Sequence, residues 1–144
     1  MKKVQAKVST PKPARDVYDY MVDFERHPEW RFDVLESKLV QGEKGRVGAR
    51  YRQKVKQGRR EMEANVELTE ADPGRRVGFR TLDEGPVTAS GSYDIRDTGS
   101  GTELVNEVTI ETHGFMRLLG PVIGPQLRKT SKRYEEALRA RLMS

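Results

Sequence analysis

The sequence predicts an α+β domain in which a long C-terminal helix covers a curved antiparallel sheet of about six to seven strands, with two short helices after the first strand. Three observations carry that expectation. Several segments alternate apolar and polar residues, most strictly Ala49–Lys56 and Thr102–His113, the pattern of half-buried strands. Short runs rich in glycine, proline and aspartate separate them, among them Gly42–Gly48, Asp72-Pro73-Gly74 and Asp97–Gly101, so that neighbouring strands connect through tight turns. Finally, Gln126–Met143 sets Leu127, Ser131, Tyr134, Leu138 and Leu142 on one side of a helix and Arg128, Lys129, Lys132, Arg133 and Arg139 on the other. Such an amphipathic helix needs a surface to cover.

In chain order, Lys3–Ser9 alternates with Val4, Ala6 and Val8 on one side. Thr10, Pro11 and Pro13 end that strand, and Ala14–Val22 gathers Val17, Tyr18, Met21 and Val22 on a helical stripe, with Asp16 placed early enough to favour the helix N-terminus. Asp23–Trp30 continues as a further turn or two, interrupted at His27-Pro28 because proline disfavours the helical conformation of the residue before it. Six strands follow. Val34–Gln41 is the least regular. In Ala49–Lys56, Tyr51, Gln53 and Val55 share one face while Arg50, Arg52, Lys54 and Lys56 share the other. Glu61–Glu70 answers it: with Gln57-Gly58 as a two-residue turn, Lys54 faces Glu61 and Arg52 faces Glu63 outside, while Tyr51 faces Ala64 and Gln53 faces Met62 inside. Arg76–Leu82 turns Val77, Phe79 and Thr81 inward, and Pro86–Arg96 does the same with Val87, Ala89, Gly91, Tyr93 and Ile95. Thr102–His113 closes the series with Leu104, Asn106, Val108, Ile110 and Thr112 inward and Glu103, Glu107 and Glu111 outward.

Composition sets the broad class. A chain of 144 residues without internal repeat or linker reads as one domain, 1–144, with one core. It has no apolar run of the roughly 18 residues a membrane span requires, and the Met-Lys-Lys start leads into alternation rather than a signal-peptide core, so a cytoplasmic protein is expected. With no cysteine, and His27 and His113 as the sole histidines, disulfides, thiolate chemistry and metal sites are set aside and no cofactor is expected. The net charge of +5 is carried by Gly114–Ser144, where seven basic residues stand against Glu135 and Glu136. That basic face permits transient contact with an anionic membrane. Nucleic acid is not an expected partner, because the basic strand faces paired glutamates and no exposed aromatics interleave with the charges. A monomer or homodimer fits equally.

Strands joined by short turns cannot bury their inner face against two short helices alone, so the C-terminal helix covers the rest. Small residues, Ala64, Ala89 and Gly91, alternate there with large ones, and Gln53, Thr81, Asn106 and Thr112 bring polar groups to the same face. Two arrangements accommodate this. Either the small residues admit the helix closely and every polar group finds a backbone partner, or they line an elongated cavity whose few polar groups orient an apolar ligand.

The Ser9-Thr10-Pro11 start followed by Val17 and Tyr18, Asp23-Phe24 before Pro28-x-Trp30, the Gly45-x-x-Gly48 turn, Asp72-Pro73 ahead of a strand, and Gly101-Thr102-x-Leu104 opening the last strand together resemble the polyketide cyclase/dehydrase branch of the START-like (SRPBCC) ligand-binding superfamily. The resemblance runs over nearly the whole chain. It implies a helix-grip fold with a deep cavity between sheet and C-terminal helix, in which members bind lipids, sterols, quinones or polyketides and a minority catalyse cyclisation or dehydration.

The resulting expectation is binding, transport or sequestration of a small hydrophobic or amphipathic molecule such as a lipid, quinone or polyketide. The alternative is a cyclase or dehydratase using the same cavity without metal or nucleotide cofactor. The candidate lining is Trp30, Tyr51, Gln53, Met62, Ala64, Phe79, Thr81, Tyr93, Asn106, Val108, Leu119, Ile123, Leu127, Tyr134 and Leu138, with Gln53, Thr81 and Asn106 as polar anchors. No catalytic residue is assigned. His27 reads as an exposed or capping side chain at a helix end, His113 as a surface residue, and Arg80 and Arg96 as solvated. Gly120-Pro121 and Gly124-Pro125 interrupt helical hydrogen bonding, so Leu118–Ile123 is expected as a gate over the cavity mouth, separate from the long helix.

Overall fold

The computed structural model describes the backbone of residues 2–57, 59–82, 87–112 and 120–143, and within these every side chain except those at 2, 57, 87, 112, 120–128, 130 and 131. The strands are β1 (Lys2–Thr10), β2 (Val34–Gln41), β3 (Arg50–Gln57), β4 (Arg60–Asp72), β5 (Arg76–Thr81), β6 (Val87–Asp97) and β7 (Thr102–Thr112). Helix α1 (Ala14–Met21) and a short 3₁₀ helix (Phe24–Glu29) lie between β1 and β2, and helix α2 (Gly120–Met143) follows β7. All seven strands form one antiparallel sheet in the order β1-β7-β6-β5-β4-β3-β2. Bulges shift the register within β2 and β4, adding bend and twist to the sheet, and they explain why β2 shows the weakest alternation.

The helices occupy one side of this sheet. Helix α1 lies against β5, β6 and β7, the 3₁₀ helix against β2, and α2 against β1. The end of α2 is pinned to β1 by the Thr10 hydroxyl, which donates to the Leu142 carbonyl at 2.7 Å. Val8, Val17, Tyr18, Met21, Phe24, Trp30, Tyr51, Leu68, Val77, Leu104, Leu138 and Leu142 pack into one core cluster. The β2–β3 turn needs glycine at Gly42, whose φ of +81° would strain an L side chain and whose added Cβ would sit 3.0 Å from the Ala49 Cα.

Two expectations are corrected. The β3–β4 hairpin pairs Gln57 with Arg60, so Lys54 faces Glu63 and Gln53 faces Ala64, two residues away from the register drawn with a Gln57-Gly58 turn. A shift of two leaves every side chain on its expected face. The outer charges still meet diagonally, Arg52 to Glu63 at 3.0 Å and Lys54 to Glu61 at 3.9 Å. In addition, residues 120–123 form the first turn of α2, which runs through Gly124-Pro125 to Met143. Pro121 sits where the amide has no intrahelical partner in any case, so the first Gly-Pro step breaks nothing. The remainder of the expected gate, Leu118 and Leu119, lies outside the described residues.

Candidate functional site

The inner face of the sheet divides into a filled end and an open end. At the filled end Leu104, Ile95, Tyr93, Val77, Phe79, Leu68, Val66 and Tyr51 are buried beneath α1, the 3₁₀ helix and the last turns of α2. Further along the same face, Val55, Ala64, Thr81, Ala89, Val108 and Ile110 are only half-buried and Met62 is 50% exposed. The small residues do not serve to bring α2 close at every position. A Cβ on Gly91 would stand 2.7 Å from the Phe79 Cζ and 2.6 Å from the Glu107 carbonyl oxygen, so the Phe79 ring already occupies the space that Gly91 leaves.

At the boundary between the two ends lies a linked set of aromatic and polar side chains. The His27 ring stacks on Phe24 with centroids 4.6 Å apart and meets Trp30 edge-on at 5.5 Å. Trp30 in turn meets Tyr93 on the sheet and Tyr134 on α2, each at 6.1 Å. His27 is therefore not the exposed residue that its place before Pro28 suggests: it is 2% exposed. The local sequence conceals this because the residue that receives it, Gln53, is far away in the chain. The Gln53 amide nitrogen lies 2.8 Å from His27 Nδ1 and donates to Ser37 Oγ at 3.2 Å. With the Gln53 amide oriented in this way both its protons are used, His27 accepts at Nδ1 and carries its own proton on Nε2, an atom that has no partner among the described residues. Burial, reinforced by the positive charge of Arg31, pushes the His27 pKa well below the usual imidazole value, so the ring is neutral at pH 7.

Arg31 and Asp33 escaped the sequence reading because they fall between Trp30 and β2, where no period marks an inward face. The chain turns back at this point: the Arg31 amide donates to the His27 carbonyl at 2.8 Å and the Val34 amide to the Arg31 carbonyl at 3.0 Å. The Arg31 guanidinium stands 5.3 Å from the centre of the Tyr134 ring. Burial works against its charge, but the Tyr134 and Tyr93 oxygens and the Asp33 carboxylate more than offset this and raise its pKa. The Tyr134 hydroxyl is in polar contact with both Arg31 and Asp33, and burial is the main reason its pKa is raised. Burial likewise pushes Tyr93 up to about 12, so both phenols are neutral.

The remaining expected lining residues fall at definite places. Tyr51 is buried, and its hydroxyl lacks a well-aligned partner, although the Gly45 backbone is close enough to interact with it. Thr81, half-buried, uses its hydroxyl on the Ala89 backbone, accepting from the amide at 3.0 Å and donating to the carbonyl at 3.2 Å. Asn106, also half-buried, keeps a buried Oδ1 without a partner among the described residues. Leu138 is buried in the core. Leu119 and His113 lie outside the described residues, as do the side chains of Ile123 and Leu127. Arg80 and Arg96 pair on the outer face with Glu67 and Glu103.

A groove of about 400 Å³ lies mainly on the outer face of β2, β3 and β4. Its charges pair with one another, Glu36 with Lys38, Arg52 with Glu63 and Lys54 with Glu61, which leaves it no free charge to hold a ligand. Among the described residues no three His, Asp or Glu side chains stand close enough to hold a metal ion, and no helix is long and apolar enough to cross a membrane.

A seven-stranded antiparallel sheet with a long C-terminal helix on one side, its inner face more deeply buried at one end than at the other, defines a helix-grip fold. The chain belongs to the family described as polyketide cyclase/dehydrase and lipid transport, whose model matches residues 1–142. Among solved structures it is similar to a Thermus thermophilus protein at 22% identity, with a TM-score of 0.79 over 98% of this chain and 97% of that one. It is also similar to a START superfamily protein from Mycobacterium smegmatis, at 16% identity and a TM-score of 0.76 over 97% and 96% of the two chains. A third likeness is to the Zhui aromatase/cyclase from Streptomyces, at 17% identity and a TM-score of 0.71 over 96% and 94%. These likenesses show a shared fold. No curated protein sequence matches the chain.

Proposed function

We propose that this protein binds a small hydrophobic or amphipathic molecule in the space between the sheet and α2. The observation that carries the reading is the change of packing along one continuous inner face. A packed interior leaves few voids, yet along this face a closed aromatic cluster gives way to Ala64, Thr81, Ala89, Val108 and Ile110, all apolar or small and all half-buried. A few polar groups placed in a mostly apolar concavity fix the orientation of a ligand whose affinity comes from area burial. Asn106 is of that kind, since its Oδ1 is buried without a partner. Lipid transport in the family description agrees with this reading.

The test is native mass spectrometry of protein purified without detergent, together with titration of the fluorescent apolar probe N-phenylnaphthylamine. A co-purified small molecule, or saturable probe binding that Ala89→Leu weakens, is expected. Probe binding that is absent, or indifferent to Ala89→Leu, would overturn the reading.

A second reading is a cyclase or dehydratase acting in the same space. What favours it is the pairing of a neutral buried imidazole, His27, with the nearby Arg31 cation. It requires that His27→Gln abolish turnover of a polyketide-like substrate while leaving its affinity intact.

A further inference from the structure

Arg31 is the polar group that the fold leaves least explained. Its guanidinium sits between an inward residue of β6, Tyr93, and the inner side of α2, Tyr134, and so occupies the sheet–helix space itself. A buried cation is normally held by a carboxylate in direct contact. Among the described residues none forms an ion pair with Arg31. Asp33 acts on it only through space, is engaged by the Tyr134 hydroxyl, and keeps its Oδ1 buried without a partner. Part of the Arg31 surface remains accessible, as a group facing a ligand must.

The groups around it are mainly donors. Among the described residues the His27 Nε2 proton has no acceptor, and the ring is too strongly desolvated to become a second cation beside Arg31. The phenols of Tyr93 and Tyr134 hold their protons well above neutral pH. One permanently charged guanidinium, a buried N–H and the neutral Tyr93 hydroxyl face this point, while the Tyr134 hydroxyl and the single carboxylate, Asp33, engage one another. A neutral alcohol or hydrocarbon end gains little there. An anionic end gains charge-assisted hydrogen bonds in surroundings where such bonds are strongest.

We propose that the ligand is an amphipathic acid, its apolar body lying along the open end of the inner face and its carboxylate, or an equally acidic enol or phenol, received by Arg31. This rests on the binding function proposed above and narrows its ligand class. The guanidinium is the anchor. His27 and Tyr93 add neutral donors beside it, the first held by Gln53 and the second packed on Trp30.

The experiment displaces N-phenylnaphthylamine with lauric acid and with dodecanol, a matched pair that differs in the head group. Lauric acid should displace the probe at about tenfold to a hundredfold lower concentration than dodecanol, the gain expected of charge-assisted hydrogen bonds. Arg31→Gln should remove that preference while leaving dodecanol affinity in place, which also shows that the variant is folded. Lys132→Gln, the same loss of charge on the exposed side of α2, should leave the preference intact. Equal displacement by acid and alcohol in the unaltered protein, or an acid preference that survives Arg31→Gln, would overturn the inference while leaving the binding function standing. Should Arg31→Gln fail to fold, salt decides in the unaltered protein: a preference that vanishes at roughly 0.5 M salt belongs to exposed surface charge and overturns the inference, whereas one that persists supports an interior anchor. Failure of the probe and both competitors to bind would overturn this inference and the binding function together.

Discussion

Two small residues on the inner face, Gly91 and Ala64, should respond in opposite ways to enlargement. At Gly91 an added Cβ meets a backbone oxygen of the neighbouring strand at 2.6 Å and the Phe79 ring at 2.7 and 2.9 Å. Contacts under 3 Å are met by displacement, and the backbone oxygen is fixed in the β6–β7 ladder. Gly91→Ala should therefore destabilise by about 1–3 kcal/mol, the range for overpacking a filled site, or a fall in Tm of about 4–12 °C for a chain of this size. Ala64 is half-buried and lies opposite Gln53, two residues from the half-exposed Met62. Because Ala64 is only half-buried, the three carbons added in Ala64→Leu are not forced into a filled site, and shielding them from water gains up to about 0.8 kcal/mol for each buried carbon. Ala64→Leu should then keep or raise the Tm while weakening N-phenylnaphthylamine binding. Thermal unfolding followed by circular dichroism, with probe titration on the same samples, measures both quantities. If Ala64→Leu lowers the Tm as far as Gly91→Ala does, the open end is packed core and the division of the inner face is wrong.

Further outcomes follow from individual contacts. Leu138→Ala, removing a side chain buried between α2 and the core, should cost about 2–5 kcal/mol in chemical denaturation. Thr10→Val deletes the hydroxyl that holds the Leu142 carbonyl and should cost about 1 kcal/mol, with faster amide exchange confined to the last turns of α2. Arg52→Ala breaks an exposed pair and should leave the denaturation midpoint unchanged within error. The folded-state pKa of His27 is depressed, so its contribution is fully present above the unfolded value of about 6.5 and is lost as pH falls from there towards the folded value, because the unfolded chain takes up a proton that the native ring refuses. Stability should accordingly drop between pH 7 and 5 in the unaltered protein and drop less in His27→Gln. Parallel pH profiles would show that the ring is not held neutral.

The fold was legible because its signals are local. Alternation marks the strands, glycine and proline mark the turns, and the three- to four-residue spacing of Tyr134, Leu138 and Leu142 marks the inner side of α2, where the last two are buried. The β3–β4 register was less so, since Gly58 can be the second or the first residue of a two-residue turn and both choices keep charges opposed outside. The site was legible on the sheet, where period two tells inside from outside, and illegible between the 3₁₀ helix and β2. Nothing in Trp30-Arg31-Phe32-Asp33 shows that Arg31 turns towards Tyr134 while Phe32 is 43% exposed. Nor does the sequence around His27 disclose Gln53. A polar residue on an inner face, Gln53 has the pattern of a ligand anchor, but its amide nitrogen is engaged with His27 and Ser37.

The unpartnered polar atoms give one more reason to look for function at this boundary. A buried donor or acceptor left without a partner costs about 1–3 kcal/mol, and a domain is stable by only about 5–15 kcal/mol. Among the described residues such atoms occur on His27, Asp33, Tyr51 and Asn106. All lie on or against the inner face: Tyr51 and Asn106 on the sheet itself, His27 bound to Gln53, and Asp33 at Tyr134. A leucine or phenylalanine at most of these positions would pack without that expense, whereas a solvated outer face would satisfy the same groups with water. Two of them, on His27 and Asp33, belong to residues that act on Arg31, which is what a site completed by a ligand requires, because a bound acid could accept from the His27 and Tyr93 protons while compensating the guanidinium. The same count explains why emptying the site should lower the Tm. A ligand that binds only the native state adds stability as the logarithm of its concentration over Kd, about 2.7 kcal/mol at a hundredfold excess, and an acid anchored at Arg31 would supply that stabilisation where the apo fold most lacks it.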